Sequence, residues 1–440
     1  MAETLFARVI TCHNRSMNNS GLIISAPASG SGKTMLTLGL LRALRNRGLN
    51  VRAAKSGPDY IDPRFHEAAC GRACVNLDAW AMEPARIKSL AQGDGLLIVE
   101  GAMGLFDGAP PQGRGATADL ARILDLPVLL VVDAARQAQS VAALVSGFAR
   151  HDKAVTIAGV ILNNVGSQRH ETMLRKALKP SRIPVLGAVM RHTGLELPSR
   201  HLGLRQAQEH PELQDFIRRA AEIIEAAVDV AAVKDMATNI ATVKNRDAML
   251  PPAQTIAVAQ DRAFAFAYPH LLSDWRAQGA HISFFSPLND EAPERSEMIF
   301  LPGGYPELYA GKLAAARNFT SSLRDCAKDT IIYGECGGYM VLGHGMIDAT
   351  GARHAMVGLL GLESSFETRK LHLGYRHLHA RSGPVAGHYR GHEFHYATTV
   401  KATGDPLFTA EDAEGIPLRP MGLLAGRVCG SFAHIIEVHD

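Results

Sequence analysis

The 440 residues exceed what one ordinary hydrophobic core organises, so two domains are expected. With 47% hydrophobic and 20% charged residues and a formal charge of +3, the composition is that of a globular chain lacking the basic excess that tracks nucleic acid. No apolar run reaches bilayer-spanning length and no secretory pattern opens the chain, which predicts a cytoplasmic protein with neither membrane nor nucleic acid as partner.

Residues 1–18 carry no periodic pattern and are expected to be a poorly ordered extension, with Met17 as an alternative start. From "GLIIS" onward, short apolar runs alternate with helix-length amphipathic segments: "VRAAKS", "GLLIVEG", "PVLLVVD" and "IAGVILNN". That alternation predicts an α/β unit over 19–235 with a doubly wound parallel sheet. The pattern fades at 236–254, where a Pro-Pro pair marks a linker. It resumes over 255–440 with "TIAVAQD", "HISFFSP", "EMIFLPGG" and "TIIYGEC", a second α/β unit ending in short alternating runs such as "HEFHYATTV". The six cysteines, at 12, 70, 74, 326, 336 and 429, lack paired spacing and are expected as free thiols.

After the first run, "APASGSGKT" places Gly30, Ser31, Gly32, Lys33 and Thr34 as a phosphate-binding loop. Its backbone N–H groups cradle phosphates, Lys33 reaches the terminal ones, and the Thr34 hydroxyl is placed to hold Mg²⁺. Pro27 replaces the usual first glycine, so the loop is a variant. Glu100 ends an apolar strand and is the second candidate Mg²⁺ ligand. Asn163 and Asn164 close another, where an asparagine either reads an adenine edge or forms a turn. Between these lies "KSGPDYIDPRFH", in which Pro58 and Pro63 stiffen a polar loop around Asp59, Tyr60 and Asp62.

That loop, with "NLDAW", "EGAMGLFDG", "GVILNNVGSQRH", "LPGGYPEL", "YGECGGYM" and "GHEFHY", closely resembles the cobyrinic acid and hydrogenobyrinic acid a,c-diamide synthase family, from about residue 20 to the C-terminus. The resemblance implies a dethiobiotin-synthetase-like ATP-binding domain followed by a class I-like glutamine amidotransferase domain. It implies ATP and glutamine as co-substrates, Mg²⁺ as cofactor, and amidation of the a and c acetates of a corrinoid tetrapyrrole. "APASGSGKT" and "NLDAWAM" resemble the branch with a metal-free substrate. The oligomeric state stays open, a homodimer included.

On this resemblance Cys336 is the nucleophile that releases ammonia from glutamine, with His434 as its base. Backbone N–H groups near Gly303, Gly304 and Gly337 hold the oxyanion. The glutamate usual in class I enzymes two residues after the histidine is Ile436 here; Glu437 faces the other way along a strand, leaving a Cys-His dyad with its third member open. Asp59, Tyr60 and Asp62 are expected near the transferred phosphate and the substrate acetate.

The histidines at 372, 377, 379, 388, 392 and 395 crowd one region, but "HEFH" is not the zinc spacing that puts two imidazoles on one helical face. They are expected, with Arg376 and Arg390, at the domain interface or in core hydrogen bonds. Nickel-sirohydrochlorin a,c-diamide synthase shares many of these motifs, and cobyric acid synthase departs at "GPDYIDPRFH". A ParA/MinD-like nucleotide switch would carry a lysine where this chain has Ala28.

Overall fold

The computed structural model describes residues 19–192, 199–200, 203–204, 206–207, 212–243 and 248–439. The expected N-terminal extension, with Met17 and Cys12, lies outside them. Each apolar run named above becomes a strand. In the first half, β1 (Ser20–Ser25) leads through the glycine loop into α1 (Lys33–Asn46), followed by β2 (Val51–Ser56), α2 (Asp62–Cys70), β3 (Val75–Leu77), α3 (Pro84–Ala91), β4 (Leu96–Glu100), β5 (Val128–Asp133), β6 (Ile157–Val165) and β7 (Val185–Met190). These seven strands pair in parallel in the order β3-β2-β4-β1-β5-β6-β7. Helices cover both faces, which is why "LLIVE" and "VLLVVD" are apolar throughout rather than alternating.

Register decides what meets at the carboxyl edge of this sheet. Glu100 of β4 pairs with Ile24 on one side and Lys55 on the other, directly beneath the loop that follows β1. Open parallel sheets bind ligands at this edge, where the strand order reverses. A further helix, α4 (Leu213–Ala227), packs so closely on α1 that a Cβ on Gly39 would stand 2.7 Å from the Ala220 carbonyl. Part of the expected linker is docked rather than free. Residues Thr238–Asn239 form β8, antiparallel to β1, because Ile240 is buried and its N–H bonds Asn19 O at 2.9 Å.

The second half contains β9 (Thr255–Ala259), α5 (Pro269–Ala277), β10 (His281–Phe285), β11 (Met298–Leu301), β12 (Ile331–Glu335), α6 (Gly337–Leu342), β13 (His372–Ala380), β14 (Gly387–His395), β15 (Thr409–Glu411), β16 (Leu423–Ala425), β17 (Val428–Ser431) and β18 (Ala433–Val438). One sheet runs β10-β9-β11-β12-β17-β16; a second, antiparallel one runs β15-β13-β14-β18. The chain crosses between them at Phe432, so the end of β12 and the start of β18 are neighbours.

The two halves share one continuous apolar core. Arg86 of α3 reaches into the second half, paired with Asp274 and, at 2.9 Å, with Glu437. Trp80 stacks on Tyr375 at 4.3 Å, and the Tyr375 hydroxyl donates to Asp78 Oδ2 at 3.1 Å.

Asp78 is fully buried, and burial pushes its carboxyl up to about 6 against the opposing bonds from Ala81, Trp80 and Tyr375. Its folded state therefore holds a proton that the unfolded chain releases. The contribution is favourable below the ordinary carboxylate range and is lost as pH rises through the folded value, a swing of about 3 kcal/mol. Asn at this position keeps the accepting oxygen without the charge. Asp78→Asn is expected to raise the melting temperature by roughly 2 °C or more at about pH 8, and by only about a third as much at about pH 4.5. Calorimetry at both pH values checks this.

Candidate functional site

The phosphate loop is preshaped. Gly30 and Gly32 have φ of +78° and +87°, which side chains rarely adopt, and Gly32 caps the N-terminus of α1. The Thr34 hydroxyl donates to Glu100 Oε1 at 2.7 Å. Two neighbouring oxygens of an octahedral Mg²⁺ shell lie about 3 Å apart, a spacing this pair matches. Lys33 is buried and its Nζ donates to Met103 O at 2.5 Å; burial lowers its pKa against the pull of Glu100. Met103 itself sits at φ +50°, in the loop of "EGAMGLFDG".

Asn163 lies against the phosphate loop. It is buried, and its amide donates to Ser31 O at 2.9 Å, beneath the loop. A Cβ on Gly32 would meet that amide at 2.2 Å. The side chain is a strut that shapes the loop. Asn164, at φ +57°, bonds Asp133 instead and forms the turn.

Asp59 and Asp62 converge on a residue that sequence reasoning passed over. Lys55 Nζ stands 3.5 Å from Asp59 Oδ2 and 3.5 Å from Asp62 Oδ2, with its side chain only 4% exposed. Burial alone would discharge this lysine, but Asp59, Asp62 and Glu100 outweigh it and raise its pKa. Burial, reinforced by Asp59, pushes Asp62 up. His66 is the second residue missed: its Nε2 lies 2.6 Å from Glu100 Oε2. Burial opposes the Glu100 charge, yet His66, Lys55 and Thr34 together hold its pKa below the ordinary range. The signal was present, since Lys55 and His66 bracket the stiff loop. Asn76 fixes that loop by donating to the carbonyls of Gly57 and Asp59 at 2.9 and 2.7 Å.

Tyr60 takes a different direction from its neighbours. Its ring packs between Phe266, Tyr268 and His434, with centroids 5.2, 4.5 and 4.6 Å away, because an aromatic ring finds apolar partners across the interface where the carboxylates find a cation. It touches the second site rather than the charge cluster.

That second site is built around Cys336, at the bend from β12 into α6. Its φ of +45° with ψ of −101° is a strained conformation for a side-chain-bearing residue, as in other nucleophile turns. Glu335 pairs with Ser431 in register and Cys336 N–H bonds Ser431 O at 2.7 Å, which brings His434 alongside. The imidazole and the cysteine share the space over Gly303: a Cβ there would stand 2.3 Å from His434 Cε1 and 3.3 Å from Cys336 Cβ. A Cβ on Gly337 would stand 3.0 Å from Gly304 N, so the three glycines expected at the oxyanion site lie together. Burial, then Glu307, push the Cys336 thiol well above its ordinary value. A thiol shifted in this direction needs a base to become a nucleophile.

Two cavities share walls here. One, of about 70 Å³, is lined by Cys336, Gly304, Glu307, Arg369, Phe266 and Phe394. The other, of about 200 Å³, is lined by Asp59, Tyr60, His392, His434 and again Phe266 and Phe394. His392 is buried and its pKa falls to about 3, through burial and then His434. The remaining histidines are largely structural. His379 stacks on His388 at 3.9 Å, and His395 bonds Glu393 at 2.9 Å, which also accepts from Arg376. His372, Glu393 and His395 bring donor atoms within 4.8 Å of one another. The two rings are stacked at 7°, so their lone pairs lie in parallel planes and do not aim at one ion. The cysteines among the described residues are free, and Cys74 Sγ lies against His66.

Comparison with known proteins places both halves. Residues 22–204 match the CobQ/CobB/MinD/ParA nucleotide-binding domain, and residues 255–439 match the CobB/CobQ-like glutamine amidotransferase domain. The chain is 54% identical to hydrogenobyrinate a,c-diamide synthase of Brucella anthropi, over 95% of this chain and 98% of that one. It is 52% identical to the protein of that name from Rhizobium meliloti (96% and 100% covered), and 50% identical to that from Rhodobacter capsulatus (94% and 98%). At this identity across nearly the whole length, the chain belongs to the hydrogenobyrinate a,c-diamide synthase family.

Proposed function

We propose that this protein is an ATP-dependent ligase that uses glutamine nitrogen to amidate the a and c acetate carboxylates of a corrin precursor in cobalamin biosynthesis, with metal-free hydrogenobyrinic acid as substrate. The observation that carries the reading is the convergence at Tyr60: the loop bearing Asp59 and Asp62 also supplies the ring packed on His434. A phosphoryl-transfer site and a glutaminase site stand back to back.

A carboxylate resists ammonia because its charge is delocalised and its leaving group poor. Phosphorylation supplies the leaving group. A substrate carboxylate oxygen attacks the γ-phosphorus of ATP and ADP departs, while Lys33, Lys55 and the loop N–H groups offset the charge in flight. Thr34 and Glu100 would hold Mg²⁺, which when bound neutralises the phosphate oxygens. In the second half, the Cys336 proton passes to His434, the thiolate adds to the glutamine amide carbon, and ammonia leaves as that proton returns. Water then cleaves the thioester to glutamate. Ammonia displaces phosphate from the acyl phosphate, giving the amide. The two cavities walled by Phe266 and Phe394 support a short protected route. Arg369 and Glu307 give the smaller one the paired charges that suit an amino acid's termini.

The test is mass spectrometry of the tetrapyrrole after incubation with Mg-ATP and glutamine. Hydrogenobyrinic acid is expected to gain two amides. Conversion of cobyrinic acid alone would move the substrate to the cobalt form, and conversion of neither would overturn the proposal.

A further inference from the structure

The glutaminase pair lacks the carboxylate that usually follows the histidine, and the position itself is Ile436. The structure offers another. His434 is 1% exposed, and its Nδ1 faces Glu335 Oε2 at 3.4 Å, at an angle short of a hydrogen bond. Catalytic hydrogen bonds are commonly long before substrate binds and tighten afterwards. Glu335 is itself 2% exposed and held in place: its Oε1 accepts the Ile435 N–H at 3.0 Å and the Tyr333 hydroxyl at 3.2 Å. Both anchors fall on one oxygen, which turns the other toward the imidazole.

Two other carboxylates on the antiparallel sheet are committed elsewhere. Glu437 pairs with Arg86, and Glu393 with Arg376 and His395. Glu335 adjoins the nucleophile in sequence and bonds the residue after the base, so it ties the two catalytic strands together.

We propose that Glu335 is the positioning carboxylate of this site, completing a Cys336–His434–Glu335 relay from the residue before the nucleophile. It keeps the proton on Nδ1, which leaves Nε2 to take the thiol proton, and it stabilises the imidazolium so formed. The inference rests on the amidotransferase reading.

Glutamine is a discriminating replacement. Its amide oxygen still accepts from Ile435 and Tyr333, but its NH₂ then faces Nδ1 and favours the wrong tautomer. In Glu335→Gln, kcat for glutamate release is expected to fall on the order of 10²-fold with KM for glutamine changed less than about twofold, and Glu335→Asp to recover part of the rate. Amidation driven by added ammonia bypasses His434 and is expected to persist. A kcat within about threefold of wild type overturns the inference, as does parallel loss of the ammonia-driven reaction, which would mark Glu335 as merely structural. If wild-type protein releases no Cys336-dependent glutamate, it is the amidotransferase reading that fails.

Discussion

Cys336→Ala is expected to reduce glutamine-driven amidation by at least about 10³-fold while leaving ammonia-driven amidation largely intact. Cys336 is 4% exposed, and burial and then Glu307 push its thiol up, so the proposed mechanism needs transfer of its proton to His434. Nothing else at that bend can form the thioester. Alanine loses only the sulfur and leaves the apolar surroundings in place, so the fold is expected to survive. Lys33→Ala supplies the contrast. It removes a cation from the phosphate loop, so both nitrogen sources are expected to fail, by on the order of 10²-fold or more. The measurement is amide formation by each variant with glutamine and with ammonium salts. Equal loss of both routes in the cysteine variant would refute the division of labour between the halves.

Much of this was legible in the sequence because the signals were local. Buried parallel strands announce themselves as continuous apolar runs, and each run read as a strand became one. The three residues of β3 are too few to show a pattern, and "VLGAVM" of β7 was passed over. The phosphate loop and Glu100 were legible because a glycine turn before a helix and an acid ending a strand are both short-range features. Partners across strands were not. Lys55 meets Glu100 only because β2 lies beside β4 in that register. Tyr60 meets His434 only because the halves pack together, and no spacing encodes that contact. Asn163 was legible as a strand end, but the inward turn of its amide to the loop was not.

Lys55→Met is expected to eliminate synthesis with glutamine and with ammonia alike, by on the order of 10³-fold, because the charge it balances lies at the proposed phosphoryl-transfer site. Lys55 faces Asp59 and Asp62 at 3.5 Å each and neighbours Glu100 across the sheet. Methionine fills the same volume but takes the cation from the half-buried Asp59 and Asp62 and leaves Glu100 with His66 alone. Removing one partner from a fully buried pair costs about 3–5 kcal/mol; solvent at Asp59 and Asp62 reduces that here, and the carboxylates respond by taking up protons or swinging apart. Either response moves Asp59 and Asp62 from the positions in which the proposed mechanism uses them. The glutaminase half supplies the internal control. Tyr60 sits on the same loop and packs on His434, so glutamate release is expected to drop only about threefold, reporting an intact fold beside a disabled ligase. Substrate-dependent ADP formation should vanish with the amide. Retention of more than about a tenth of the ammonia-driven rate would show that Lys55 balances charge for the fold alone, and would move the phosphoryl-transfer site away from this loop.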